Sequence, residues 1–173
     1  MLVFGGTGDL ALHKLLPALY HLHRDGRLAA DMRILAVARN VLTRSAYQAL
    51  AERRCRAQVA RHDFDNDTWA SFAARLDYFA MDASQSAEYG RLSKFLGEGG
   101  CQRGRIYYLA TAPNLFEPIA ENLAIARLAA DNTRIVLEKP IGHSLESARE
   151  INAAIGAVFS EAQVFRIDHY LGK

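Results

Sequence analysis

Short apolar runs alternate with longer amphipathic stretches along the whole chain, and this alternation constrains the fold more than any other feature. Strands are predicted at 2–4, 33–38, 78–81, 105–110, 134–138 and 164–168, where runs such as Ile135-Val136-Leu137 are too short for helices. Between them apolar residues recur at helical spacing. Leu12, Leu15, Leu16, Leu19 and Leu22 share one side of a stretch over 9–25 that should stop at Gly26. Pro17 falls inside it and should kink it, since proline removes a backbone donor. Further helices are predicted over 43–61, 66–75, 87–96 and 115–128, and from the N-cap Ser144 to 159. Six strands separated by helices make an α/β chain with a doubly wound, mostly parallel sheet and helices on both faces. With no internal repeat, residues 1–173 read as one domain.

Composition removes several function classes. The 173 residues are 50% hydrophobic and 23% charged, which argues against disorder and fibrous repeats. A net charge of +2 offers no general attraction to nucleic acid or a membrane surface, so any bound anion must be held by local geometry. Cys55 and Cys101 lie too far apart to suggest a disulfide scaffold or a zinc site and are expected to be idle thiols. No apolar run approaches the roughly 18 residues of a membrane helix. Met1-Leu2-Val3-Phe4 lacks the features of a signal peptide, so a reducing, cytoplasmic setting is the expectation.

The segment Gly5-Gly6-Thr7-Gly8-Asp9-Leu10-Ala11 joins the first strand to the first helix. Gly5 would permit the tight turn, Gly8 a close backbone approach to a pyrophosphate, and Ala11 close helix packing. A diphosphate could then rest on backbone N–H groups at the positive end of the helix. Glycines alone also make plain turns. The strand–turn–helix setting is what points to a Rossmann dinucleotide site. An NAD-binding strand two usually ends in Asp or Glu for the ribose 2′-hydroxyl, but here it ends Ala38-Arg39-Asn40. Arg39 could pair with the 2′-phosphate of NADP, with Thr7 adding a hydroxyl, or it could be a solvated surface arginine.

Two later segments carry further chemistry. Strand five runs into Glu138-Lys139-Pro140-Ile141-Gly142, delivering Lys139 to the carboxyl edge of the sheet, where its ammonium could reach a substrate oxygen. Pro140 restricts the backbone of Lys139, whichever isomer their bond adopts. The chain closes on Arg166-Ile167-Asp168-His169-Tyr170-Leu171-Gly172-Lys173, where His169, Tyr170 and Lys173 cluster as donors suited to a phosphate monoester. A loop lysine and a structural histidine are the plainer readings.

Together, Gly-Gly-Thr-Gly-Asp-Leu-Ala, Glu-Lys-Pro-Ile-Gly with Ser147-Ala148 behind it, and Arg-Ile-Asp-His-Tyr-Leu-Gly-Lys resemble the three signatures of the glucose-6-phosphate dehydrogenase family. The resemblance runs in order over the whole chain. It implies oxidation of D-glucose 6-phosphate to 6-phosphoglucono-1,5-lactone with NADP, the opening step of the oxidative pentose phosphate pathway. Carried over, it assigns Gly5, Gly6, Thr7, Gly8, Asp9, Leu10 and Ala11 to the dinucleotide, with Thr7 and Arg39 at the 2′-phosphate. Asp82 falls on the adenine side. Lys139 touches both cofactor and sugar, Lys14 lies near the substrate, and His169, Tyr170 and Lys173 clamp the sugar phosphate. Asp168 orients the catalytic histidine. Leu12 and His13 depart from the basic residues usual before Lys14.

In the family that histidine lies beyond the last signature, in a second, β-rich domain through which the family associates into homo-oligomers. None of His13, His21, His23, His62 or His143 occupies its position. General-base help is commonly worth about 10²–10⁴-fold, so the 173-residue piece is expected to bind NADP weakly and turn over nothing. The alternative is a stand-alone NADP-binding or regulatory module. Another sugar dehydrogenase with a Glu-Lys-Pro turn would account for Lys139 but not for the terminal cluster.

Overall fold

The computed structural model describes residues 1–97 and 104–168. Among them six strands form one sheet: β1 (Leu2–Phe4), β2 (Ile34–Ala38), β3 (Leu76–Ala80), β4 (Arg105–Leu109), β5 (Thr133–Glu138) and β6 (Val164–Ile167). Their order is β3-β2-β1-β4-β5-β6, and all five pairings are parallel. This is the dinucleotide-binding order of a Rossmann sheet. The expected mostly parallel sheet is wholly parallel, because helical crossovers return the chain to the same edge before every strand. The order reverses beside β1, where Val3 pairs with Ala36 on one side and Tyr108 on the other.

Alternation along the strands divides the core between two faces. Leu2 and Phe4 pack with Leu92 of α4 (Ser86–Leu96), Ile119 of α5 (Phe116–Ile125) and Ile155 of α6 (Leu145–Val158). Val3 points the other way, into a cluster with Leu19 of α1 (Leu16–Arg24), Tyr47 of α2 (Arg44–Gln58) and Phe72 of α3 (Asn66–Ala73). Burial on both faces explains why the strands read as continuous apolar runs. Cys55 lies inside the second cluster, where burial pushes its thiol up to about 12. Among the described residues no helix is long and apolar enough to cross a membrane.

Several expected boundaries shift. The stretch over 9–25 is helical without a break from Asp9 to Arg24, as expected, but what Pro17 leaves in it is a π-helical turn at residues 11–15, after which the α-helical part α1 runs on from Leu16. Pro17 has no N–H for the ordinary i−4 bond, and the Leu16 N–H reaches back five residues to the Ala11 carbonyl. α1 ends before Gly26, whose φ of +68° closes the helix as expected. α2 stops at Gln58, because Val59 is extended. β3 starts at Leu76 rather than 78, Asp77 having interrupted the apolar run although it pairs in register with Leu35.

Candidate functional site

The turn after β1 is built by its own hydrogen bonds. The Gly5 and Gly6 N–H groups both donate to the Val37 carbonyl at 2.9 and 3.1 Å, and the Gly8 N–H donates to the Gly5 carbonyl at 2.8 Å. Gly5 has a φ of +79°, and a Cβ placed on it would lie 2.2 Å from the Ala110 carbonyl oxygen. A Cβ on Gly6 would meet the Ala36 Cβ at 2.5 Å, so this glycine brings the turn against β2. From behind, the buried Tyr47 hydroxyl donates to the Gly6 carbonyl at 3.1 Å. Ala11 is fully buried, Leu10 packs toward the α1–α3 face, and Asp9 is exposed, 3.6 Å from His13 Nδ1.

Around the turn lies a cleft of about 510 Å³, at the carboxyl edge of β1, β2 and β4. Gly5, Thr7, Gly8, Arg39 and Asp82 line it, together with Asn40, to which the sequence assigned no role. The Thr7 hydroxyl donates to Asn40 Oδ1 at 3.0 Å, tying the turn to the end of β2. Asp82 accepts from the Ser84 N–H and hydroxyl at 2.9 and 2.8 Å. Those bonds, with the Arg39 charge adding to them, hold its carboxyl below the usual carboxylate range. The wall also contains Thr111, whose buried hydroxyl has no partner among the described residues.

These features fit a dinucleotide. The glycines keep open a cradle that side chains would fill, a guanidinium and neutral polar groups stand at the end of β2, and a buried hydroxyl lacks a mate.

At the other end of the same edge, Lys139 Nζ lies 3.3 Å from Asp168 Oδ2, with both side chains partly exposed. The Lys139 N–H donates to the Ile167 carbonyl at 3.0 Å, and the Lys139–Pro140 bond is cis. Just below, Glu138 is buried with its Oε2 3.4 Å from the Tyr108 hydroxyl, and burial pushes that phenol up, Glu138 adding to the effect. Lys14, Lys139 and Asp168 do not line the β1–β2 cleft. Lys14 sits on the π-helical turn and is exposed. The positions assigned to a sugar-phosphate clamp, His169, Tyr170 and Lys173, and also Cys101, lie outside the described residues.

Tyr47 and Asn40 carry little local signal because each matters through a neighbour distant in the chain, and Thr111 because only the folded sheet puts it on the cleft wall. Only Asn40, beside Arg39, carried a local signal, as a polar residue on the strand-two loop.

Residues 2–173 match the family described as "Glucose-6-phosphate dehydrogenase, NAD binding domain". The chain is 46% identical over 178 residues to glucose-6-phosphate 1-dehydrogenase of Mycolicibacterium smegmatis, covering 99% of this chain and 35% of that protein. The Rhizobium meliloti enzyme of the same name is 44% identical over 171 residues, with the same two coverages. Among solved structures, the Mycobacterium avium glucose-6-phosphate 1-dehydrogenase superposes with a TM-score of 0.88 at 38% identity, over 98% of this chain and 36% of that one. A glucose-6-phosphate dehydrogenase in complex with glucose 6-phosphate gives 0.87 at 30% identity, over 99% and 36%. This chain therefore spans about a third of the length of its relatives. With the β3-β2-β1-β4-β5-β6 sheet, the glycine cradle and the whole-length match in agreement, the chain belongs to the nicotinamide-dinucleotide-binding domain family of the glucose-6-phosphate dehydrogenases.

Proposed function

We propose that residues 1–173 form one domain, the NADP-binding portion of a glucose-6-phosphate dehydrogenase. The whole protein would oxidise D-glucose 6-phosphate to 6-phosphoglucono-1,5-lactone. The observation that carries the coenzyme choice is Arg39 on the cleft wall, at the end of β2. An acid there would repel a 2′-phosphate, whereas a guanidinium pairs with two of its oxygens. Asn40 supplies a neutral donor on the same wall, its amide nitrogen being left over from the bond it accepts from Thr7, and the Thr7 hydroxyl would turn its one hydrogen from Asn40 to the phosphate. Asp82 takes the adenine side. The Gly5, Gly6 and Gly8 amides hold the turn itself, so the diphosphate falls to those of Thr7, Asp9 and Leu10, at the start of the helical segment. Ala11 serves that site by packing.

Bound in this cleft, the nicotinamide supplies the hydride acceptor. Lys139, held by Asp168, donates a hydrogen bond between coenzyme and sugar, and Lys14 faces the substrate. His169, Tyr170 and Lys173 take the sugar phosphate, an assignment resting on the family signature alone. Asp168 orients a histidine belonging to the remaining two-thirds of such a protein, which also supplies the rest of the sugar site.

Titration with NADP and NAD tests the reading. Arg39→Ala should weaken NADP by about 1.5–3 kcal/mol and leave NAD nearly unchanged. An equal loss for both coenzymes would remove Arg39 from the 2′-phosphate. Mixed with glucose 6-phosphate and NADP, this chain alone should produce no reduced coenzyme, and enzyme-like turnover would show that the base is present after all.

A further inference from the structure

Between β2 and α2 the chain leaves the sheet through Arg39, Asn40 and Val41, all exposed. The parallel ladder to β3 ends at Ala38, whose carbonyl accepts from the Met81 N–H at 2.9 Å. Two residues on, the Asn40 carbonyl accepts from the Tyr78 hydroxyl at 2.5 Å, with the Ala38 carbonyl farther from that hydroxyl at 3.3 Å. Arg39 therefore stands between two held carbonyls. Tyr78 lies in the middle of β3, opposite Ala36, and is only 6% exposed. Its ring stacks on that of Tyr47 with 5.0 Å between centroids, and the Tyr47 hydroxyl holds the Gly6 carbonyl. One stacked pair thus braces two walls of the cleft, Tyr47 at the glycine turn and Tyr78 at the end of β2.

A core tyrosine needs only some acceptor for its hydroxyl. This one takes a carbonyl of the exposed segment that also carries the Arg39 guanidinium and the Asn40 amide, both on the cleft wall. When the Thr7 hydroxyl turns to the phosphate, the tie it makes to Asn40 Oδ1 is given up. The bond from Tyr78 is untouched by that turn. An arginine side chain loses much rotamer freedom on closing around an anion, so a backbone fixed in advance lowers the ordering cost.

We propose that Tyr78 is a positioning residue for coenzyme choice, holding Arg39 and Asn40 where their donors meet the 2′-phosphate. This rests on the placement of Arg39 at that phosphate, argued above. NAD carries a hydroxyl there and gains little from the same tether.

The test compares dissociation constants of NADP and NAD for the unchanged chain, Tyr78→Phe and Arg39→Ala. Tyr78→Phe keeps the ring against Tyr47 and removes only the donor. NADP should then bind about three- to tenfold more weakly, the worth of one lost hydrogen bond, while NAD stays within about twofold. Should the variant fail to fold, both proteins are measured in trimethylamine N-oxide, which favours the compact state, and the same split is read. If Arg39→Ala is selective for NADP but Tyr78→Phe weakens both coenzymes equally, or neither, the role of Tyr78 is overturned and that of Arg39 stands. An unselective Arg39→Ala would instead remove the 2′-phosphate site, and the role of Tyr78 with it.

Discussion

The two ends of the carboxyl edge are built differently. At the β1–β2 end the glycine turn is backed by packed structure: the buried Tyr47 holds the Gly6 carbonyl, and the turn presses on Ala36 and Ala110. At the β5–β6 end the corresponding groups stand in solvent. Lys139 and Asp168 form a 3.3 Å pair with side chains 54% and 37% exposed, and the neighbouring Phe165 and Leu145 are exposed too. The packing that makes the sheet also shapes the first end, so stability and binding should be coupled there. At the second end the Lys139–Asp168 pair should be removable with little effect on folding.

The largest test of that contrast is Gly5→Ala. Its methyl group would face both a positive φ and the Ala110 carbonyl, so urea denaturation should show a loss of about 2–5 kcal/mol, with dinucleotide binding falling in parallel. A stable variant that binds normally would break the coupling. Tyr47→Phe leaves the Gly6 carbonyl without its donor and should cost about 1–3 kcal/mol by the same measurement, again weakening dinucleotide binding. Ser144→Ala removes the N-cap of α6, whose oxygen accepts from the Ser147 N–H at 3.1 Å. It should lower stability by about 1 kcal/mol while leaving coenzyme affinity alone, since the cap lies off the cleft. The smallest stability effect belongs to Lys139→Met, within about 1 kcal/mol, because the pair it breaks is largely exposed. A larger loss would mean that the β5–β6 end is as integral to the fold as the β1–β2 end.

Legibility in the sequence follows the same division between local and distant causes. The six strands, the stop at Gly26 and the glycine turn are all local signals, and each appears where expected, within a residue or two at most ends. The π-helical turn was not legible. Pro17 announces a missing donor, but whether the backbone answers with a kink or a wider turn depends on how Leu12 and Leu16 must pack. The role of Gly6 was hidden for a similar reason: nothing adjacent says that Ala36 would lie against it.

By itself, the order of apolar runs and turn residues determined an all-helix-connected parallel sheet with a glycine turn after its first strand, because backbone periodicity and glycine's freedom act over a few residues. Only the tertiary structure decided that Asn40 meets Thr7 across 33 residues and that Tyr47 braces that turn. Those contacts depend on how whole strands and helices lie against one another, which no local stretch of chain encodes.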